Sequence, residues 1–298
     1  MKKKKQANGF PALPPKFAAF ILTHGRPDNV KTYDSLKRSG FTGRVILLVD
    51  NEDKKLPEYQ AKFGAEVVVF DKRRISAQYP NCDNFDDRRA VVYARNACFE
   101  VAKAEGITHL VQLDDDYTCF SYRADAAGCY LTAAPRIKSI DGLLASMCEL
   151  LDASPIASIA LAQGGDYAGG LGNPYIKTGW RFPRKIMNFW VCRTDRAFPF
   201  CGRMNEDVSA AVYHGSQGQL FFTFMQAQLF QAPTQAASGG MTETYQDNGT
   251  YQKSFYSVIQ HPSSVTVSEL HTTHKRFHHS IQWNFTVPKV VPESCRKK

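Results

Sequence analysis

The spacing of apolar and polar positions divides the chain into two rhythms, with the change near residue 120. The runs FAAFILTH (17–24), RVILLVD (44–50) and AEVVVF (65–70) are continuously apolar, which predicts short strands buried on both faces. Between them, VKTYDSLKRS carries helical spacing, opened by Pro27 and Asn29 and closed by Gly40, and a second short helix is predicted over 56–63. A longer helical pattern runs from Asp86 to Glu105, with Ala90, Tyr93, Ala94, Ala97, Phe99 and Val101 available for packing and Gly106 as its stop. THLVQL then forms a strand that runs straight into Asp114, Asp115 and Asp116. Strands alternating with helices predict a parallel, doubly wound sheet, in which ligands bind beyond the carboxyl ends of the strands. Thr23-His24-Gly25-Arg26, Asp50-Asn51 and the three acids all fall at those ends, and are expected to converge on one crevice.

In the second rhythm, a helix is predicted at 139–151 and a strand at 156–162, followed by the glycine-rich stretch AQGGDYAGGLGNP. KIMNFWVCRTD (185–195) and LFFTFMQAQLF (220–230) read as strands, and EDVSAAVYHG (206–215) as a helix with acids in its first turn, where the dipole favours them. No long polar linker separates the halves, so residues 17–298 are expected to form one domain, with a donor-nucleotide half (17–116) and an acceptor half (117–298). MKKKKQANGFPALPPK has no apolar stretch after its lysines and reads as a disordered basic arm over 1–16 rather than a signal peptide. No run approaches the ~20 apolar residues of a membrane span. The eight cysteines include no C-x-x-C pair. They read as reduced thiols in a cytoplasm, the host's if the chain is phage-encoded, and no obligate protein partner is evident. The net charge of +9 favours polyanionic partners without setting a fold.

The acids raise the chemical question. Adjacent carboxylates repel unless a cation sits among them, and on a strand end residues i and i+2 point the same way. Asp114 and Asp116 are therefore expected to share a hard divalent ion, Mg²⁺ or Mn²⁺, while Asp115 turns aside or caps the turn. Such an ion can hold a diphosphate as a leaving group, assisted by Arg26, Arg95, Lys275 and Arg276. Asn205-Glu206-Asp207 opens a helix; its carboxylates are either caps or a general base, with Asp207 the first choice and Glu206 the alternate. Four histidines crowd 271–279 after VTVSEL, which suggests a strand leading into a loop; one of them is a candidate to complete the metal site. Trp180 and Arg181 in KTGWRFPRK, together with Trp190, are candidates to meet an acceptor.

Four motifs in order, THGRPDN, YARN, LDDD and NED, resemble those of a GT-A glycosyltransferase, an α/β fold with a Rossmann-like, mixed central sheet. The resemblance implies that Thr23, His24, Arg26 and Asp50 help hold the uridine of a UDP-sugar. It further implies that the acids hold the metal on the diphosphate, that a carboxylate like Asp207 is the base in inverting members, and that a late histidine, His278 or His279, is a metal ligand. Arg95, Asp115, Lys275 and Arg276 complete the expected donor site. A narrower resemblance, carried by ILTHGRPDNVKTYDSL, VILLVDNED and GTYQKSFYSVIQHPSSV, is to the phage TET-associated glycosyltransferases. It implies an acceptor hydroxyl on a 5-hydroxymethylpyrimidine of DNA, with which KKKK and KRR (72–74) agree. A protein or glycan acceptor and a metal-dependent nucleotidyltransferase are the alternatives.

Overall fold

The computed structural model describes residues 10–83, 87–182, 184, 188–232, 252–271 and 275–286. The first half follows the predicted alternation: β1 (Phe17–Leu22), α1 (Lys31–Arg38), β2 (Arg44–Asp50), α2 (Leu56–Phe63), β3 (Val67–Phe70), α3 (Lys72–Gln78), α4 (Val92–Ala104) and β4 (His109–Asp114). The second contains β5 (Tyr117–Tyr122), α5 (Ile140–Ala153), β6 (Ile156–Ala162), α6 (Pro174–Thr178), β7 (Trp180–Arg181), β8 (Phe189–Arg193), α7 (Glu206–Ser216) and β9 (Leu220–Gln231). A helix over 252–260, α8, precedes an antiparallel pair, β10 (Val265–His271) and β11 (Lys275–Ile281).

Nine strands form one sheet in the order β3-β2-β1-β4-β8-β6-β9-β5, with β7 paired to β9. The first four are mutually parallel. β8 then pairs antiparallel with both β4 and β6, so the sheet is mixed. Register carries the consequence for the site. Leu22 pairs with Leu48 on one side and Asp114 on the other, so β1, β2 and β4 end along a common rim.

The parallel strands are short and apolar because both faces are covered: all of β1 and the last five residues of β2 are buried. α4 packs on β1, β2 and β4, and α5 on β6 and β8. One hydrophobic cluster takes in Phe20, Leu48 and Leu113 from the first half and Ile159, Val191 and Leu229 from the second. Gly40 closes α1 with φ +74°, and a Cβ there would lie 2.4 Å from the carbonyl oxygen of Lys138, so both conformation and space select glycine. Of the arm expected to be disordered through residue 16, positions 10–16 are described, and Leu13 packs against the core. Its lysines at 2–5 lie outside the described residues.

Trp190 corrects one expectation. It was a candidate for acceptor stacking, but its ring is fully buried among Phe198, Phe200 and Phe221, so it has no face to offer a ligand. Its position in β8 between two neighbouring strands explains the burial. Trp190→Ala is expected to cost about 3–5 kcal/mol of stability, read from urea denaturation, through the cavity it leaves.

Candidate active site

The rim brings the first-strand loop, the end of β2 and the acidic turn together. Asp115 and Asp116 form the turn between β4 and β5, and Asp115 points into the first-strand loop: its Oδ2 accepts from Thr23 Oγ1 and from Arg26 Nε, both at 2.7 Å. Tyr59 reaches into the same cluster from α2, its hydroxyl 2.7 Å from Thr23 Oγ1 and accepting from the Arg26 backbone N–H at 2.9 Å. The backbone of the turn is fixed by α1. Thr32 donates from Oγ1 to the Asp114 carbonyl at 2.5 Å and from its N–H to the Asp115 carbonyl at 3.0 Å. The Tyr117 N–H donates back to Thr32 Oγ1 at 2.9 Å.

At the end of β2, His24 Nδ1 lies 2.7 Å from Asp50 Oδ2, and Lys72 Nζ is 3.5 Å from the same oxygen. Burial alone would raise Asp50, but the His24 bond and the Lys72 charge outweigh it and hold the carboxyl below its ordinary range. The same bond raises His24, against its own desolvation. Lys72 is buried, so this member of the KRR run serves an internal ion pair rather than a nucleic acid. Arg74 is paired with Glu100 at 2.6 Å. Asp53 anchors the loop through the Gly25 N–H at 2.7 Å. A cavity of about 390 Å³ opens beside this group, lined by His24, Glu52, Lys72, Asp87, Arg88 and Arg89.

Arg95 links the acidic turn to the second acidic constellation. Its side chain is 1% exposed, and it donates from Nη2 to Asp114 Oδ1 at 3.0 Å and from Nε to Glu206 Oε1 at 2.9 Å. Two left-handed asparagines shape the surroundings. Asn188 (φ +58°) accepts from Arg95 Nη2 at 3.3 Å, and Asn205 (φ +53°) precedes α7 with its amide donating to the Lys253 carbonyl and Ser257 Oγ rather than capping the helix. Glu206 is thus committed to Arg95. Asp207, nearly buried, accepts from the Val208 N–H at 2.9 Å and lies within electrostatic reach of the Arg184 guanidinium.

The acids are strained electrostatically. Burial, opposed by Arg95 and reinforced by Asp116, Glu206 and Asp115, pushes Asp114 up to about 7. Asp115 and Asp116 are raised as well, chiefly by burial. Among the described residues, the Oδ1 atoms of Asp115 and Asp116 are buried without hydrogen-bond partners, and Asp116 Oδ2 accepts from Gln231 Nε2 at 3.1 Å. An orphaned carboxylate oxygen beside a like charge is what a hard cation would relieve, so Asp116 fits a divalent ion by chemistry, with Asp114, whose Oδ1 is held by Arg95, as the neighbouring carboxylate. A third ligand is not in place: among the described residues no three of His, Cys, Asp and Glu gather into a metal-holding group.

The sign of the pH dependence follows. A carboxyl that titrates near 7 folded and near 4 unfolded holds an extra proton in the folded state between those values, so stability falls as pH rises through that window. A metal must displace that proton. The thermal shift given by a fixed Mn²⁺ concentration is therefore expected to grow between about pH 6 and about pH 8.

His278 and His279 lie on β11 rather than in a loop, because VTVSELH and KRFHHSI pair as antiparallel strands. His279 is buried with Nδ1 3.3 Å from Asn205 Nδ2, behind the start of α7, and the pair does not join Asp114 and Asp116. Lys275 and Arg276 begin the same strand, but their side chains lie outside the described residues. Trp180 is half-buried against Phe222 and Phe224. Arg181 pairs with Asp166 at 3.2 Å and lies over the Tyr175 ring. Asp166, Arg184, Tyr59, Asp53 and Lys72 were missed from sequence. Arg184 meets Asp166 at 2.6 Å, a pairing across a glycine-rich stretch that no local pattern announces.

The chemistry is that of a glycosyltransferase: the family model described as TET-Associated Glycosyltransferase matches residues 17–240. The chain belongs to that family, and its fold is α/β with a mixed central sheet. Similar solved structures include a mycobacterial protein, at 9% identity over 89% of this chain and 84% of that one, with a TM-score of 0.45. A mannosyltransferase from Pyrobaculum calidifontis, in complex with GDP-Man and Mn²⁺, is 10% identical over 84% of this chain and 76% of its own, with a TM-score of 0.46. GalNAc-T7 with UDP, GalNAc and Mn²⁺ is 12% identical over 78% of this chain, with a TM-score of 0.44; the match spans 48% of its length. A search of curated proteins finds no match.

Proposed function

We propose that the chain moves a sugar from a UDP-sugar to the hydroxyl of a 5-hydroxymethylpyrimidine in DNA, with a divalent ion held by Asp114 and Asp116. The observation that carries the donor half is the acidic turn itself: buried carboxylates, one oxygen of Asp116 orphaned, at the rim where β1, β2 and β4 end. Mn²⁺ or Mg²⁺ bound there would neutralise the departing diphosphate. Thr23 and Arg26, themselves braced by Tyr59, hold Asp115 and so fix the turn that presents its two neighbours. His24 borders the cavity with Asp50 bonded behind it, and this pair is proposed to meet the nucleoside. Asp207 takes the proton from the acceptor hydroxyl as that oxygen attacks the anomeric carbon, while Glu206 stays bound to Arg95. Trp180 and Arg181 are proposed on the acceptor side.

The DNA acceptor rests on the family and on the net charge of +9. A hydroxymethyl group within a duplex must swing outward to reach a donor held at a sheet rim. Among the described residues no helix is long and apolar enough to cross a membrane. The test is incubation with Mn²⁺, a panel of UDP-sugars and either hydroxymethylated or unmodified DNA, followed by mass analysis of the digested nucleosides. The expected result is a glycosylated hydroxymethyl nucleoside with UDP released. Sugar found only on protein or glycan moves the acceptor; pyrophosphate released in place of UDP makes the chain a nucleotidyltransferase.

A further inference from the structure

Cys98, Cys148 and Cys192 are buried, and desolvation raises each thiol out of the reactive range. Cys82 and Cys201 are placed differently. Cys82 is exposed and sits in the left-handed region at φ +61°, a conformation that a cysteine adopts only where its neighbours impose it. The neighbours are the two residues that follow Cys201. Gly202 donates from its N–H to the Pro80 carbonyl at 3.0 Å, and Arg203 from its N–H to the Asn81 carbonyl at 3.2 Å. Arg203 also grips Asp83 from Nε at 2.6 Å and Asp87 from Nη1 at 3.2 Å. Tyr256 of α8 completes the clamp, accepting from the Arg203 N–H at 3.1 Å and donating to the Asn81 carbonyl. The turn at 80–83 is thereby held against residues 202–203, with the Cys82 and Cys201 thiols beside each other and Cys82 Sγ donating to the Pro80 carbonyl at 3.9 Å. The neighbouring thiol brings Cys82 down to about 7 and pushes Cys201 up.

We propose that Cys82 and Cys201 are a redox pair, with Cys82 the attacking thiolate, Cys201 the resolving thiol and a low-molecular-weight disulfide the oxidant. The Cys82 sulfur attacks one sulfur of the oxidant, forming a mixed disulfide and expelling one thiolate. Cys201 gives up its proton, attacks the Cys82 sulfur and expels the second thiolate. Two protein thiols are oxidised to one disulfide, the external disulfide is reduced to two thiols, and those take up the two protons. Thiols opposed in this way differ from structural cysteines in being accessible and unequal in acidity. The bond would tie the approach to α7, which begins at Glu206, onto the segment whose Asp87, Arg88 and Arg89 border the cavity.

The test treats the full-length protein with glutathione disulfide at neutral pH and maps its peptides. The expected product is a joined peptide pair containing residues 82 and 201, formed with loss of two hydrogens and reversed by a dithiol reductant. Cys201→Ser is expected to trap glutathione on Cys82, and Cys82→Ser to give neither crosslink nor adduct at Cys201. In the unaltered protein, iodoacetamide is expected to label Cys82 roughly fivefold faster than the exposed Cys129 at about pH 7. Absence of the joined peptides at every glutathione ratio, or labelling of Cys82 no faster than Cys129, overturns the pair.

Discussion

Asp116→Ala is expected to lower the rate of sugar transfer by on the order of a thousandfold, the equivalent of about 4 kcal/mol of lost leaving-group stabilisation. It is expected to do so without unfolding the protein. Among the described residues, one oxygen of Asp116 is buried without a partner and the other accepts from Gln231, so truncation removes little that stabilises the fold. It also relieves Asp114 of a like charge. The loss of the Gln231 bond, about 1 kcal/mol, opposes that relief. The melting temperature should therefore shift by no more than a few degrees while activity collapses. Initial rates with saturating Mn²⁺ and a thermal melt on the same sample decide it. Near-normal transfer removes Asp116 from ion binding; collapse accompanied by unfolding makes its role structural.

Arg95→Met is expected to destabilise the fold by about 3–5 kcal/mol, since it leaves two carboxylates facing each other in a buried site without their common cation. Arg95 is 1% exposed, Glu206 9% and Asp114 21% at the side chain, so water cannot substitute fully for the guanidinium. The cause is separable from lost packing. Methionine keeps much of the volume, and adding Glu206→Gln to Arg95→Met removes one of the stranded charges, so the double variant should recover part of the loss. Urea denaturation of the four species in the cycle reads this directly. A loss below about 1 kcal/mol for Arg95→Met would place the ion pairs in the class of solvated surface contacts. Donor binding is expected to weaken along with stability, because the same guanidinium orients Asp114.

The elements legible in the sequence were those bounded by abrupt changes of polarity. Arg44–Asp50 and Ile156–Ala162 are dense apolar runs flanked by turn residues, and Leu56–Phe63 is a short amphipathic helix; each occupies its expected span. The helix expected from Asp86 begins instead at Val92, because Asp87, Arg88 and Arg89 are drawn into ion pairs rather than a first helical turn. Lys72–Gln78 went unseen since Ile75 is its one buried apolar residue, although its Asp71 cap was a readable signal. The hairpin of Val265–His271 and Lys275–Ile281 was half seen; the crowded histidines obscured the second alternating run.

The rim itself was legible because strand ends are local: three apolar runs each stopping at polar residues. What each carboxylate does there was less so. Alternation could not fix where Asp115 points, because β4 ends at Asp114 and Asp115 lies in the turn, and its partners, Thr23 and Arg26, come from 89 or more residues away. The commitment of Glu206 to Arg95, 111 residues earlier, and the burial of Trp190 depend on sheet order, which no local pattern encodes.

The most direct measurement is manganese binding by electron paramagnetic resonance, made on the protein with UDP present and repeated on Asp116→Ala. One tight ion per chain that needs both UDP and the Asp116 carboxylate is the predicted result. An ion bound equally well by the variant, or none bound by the unaltered protein with UDP at saturation, would contradict the assignment of the acidic turn.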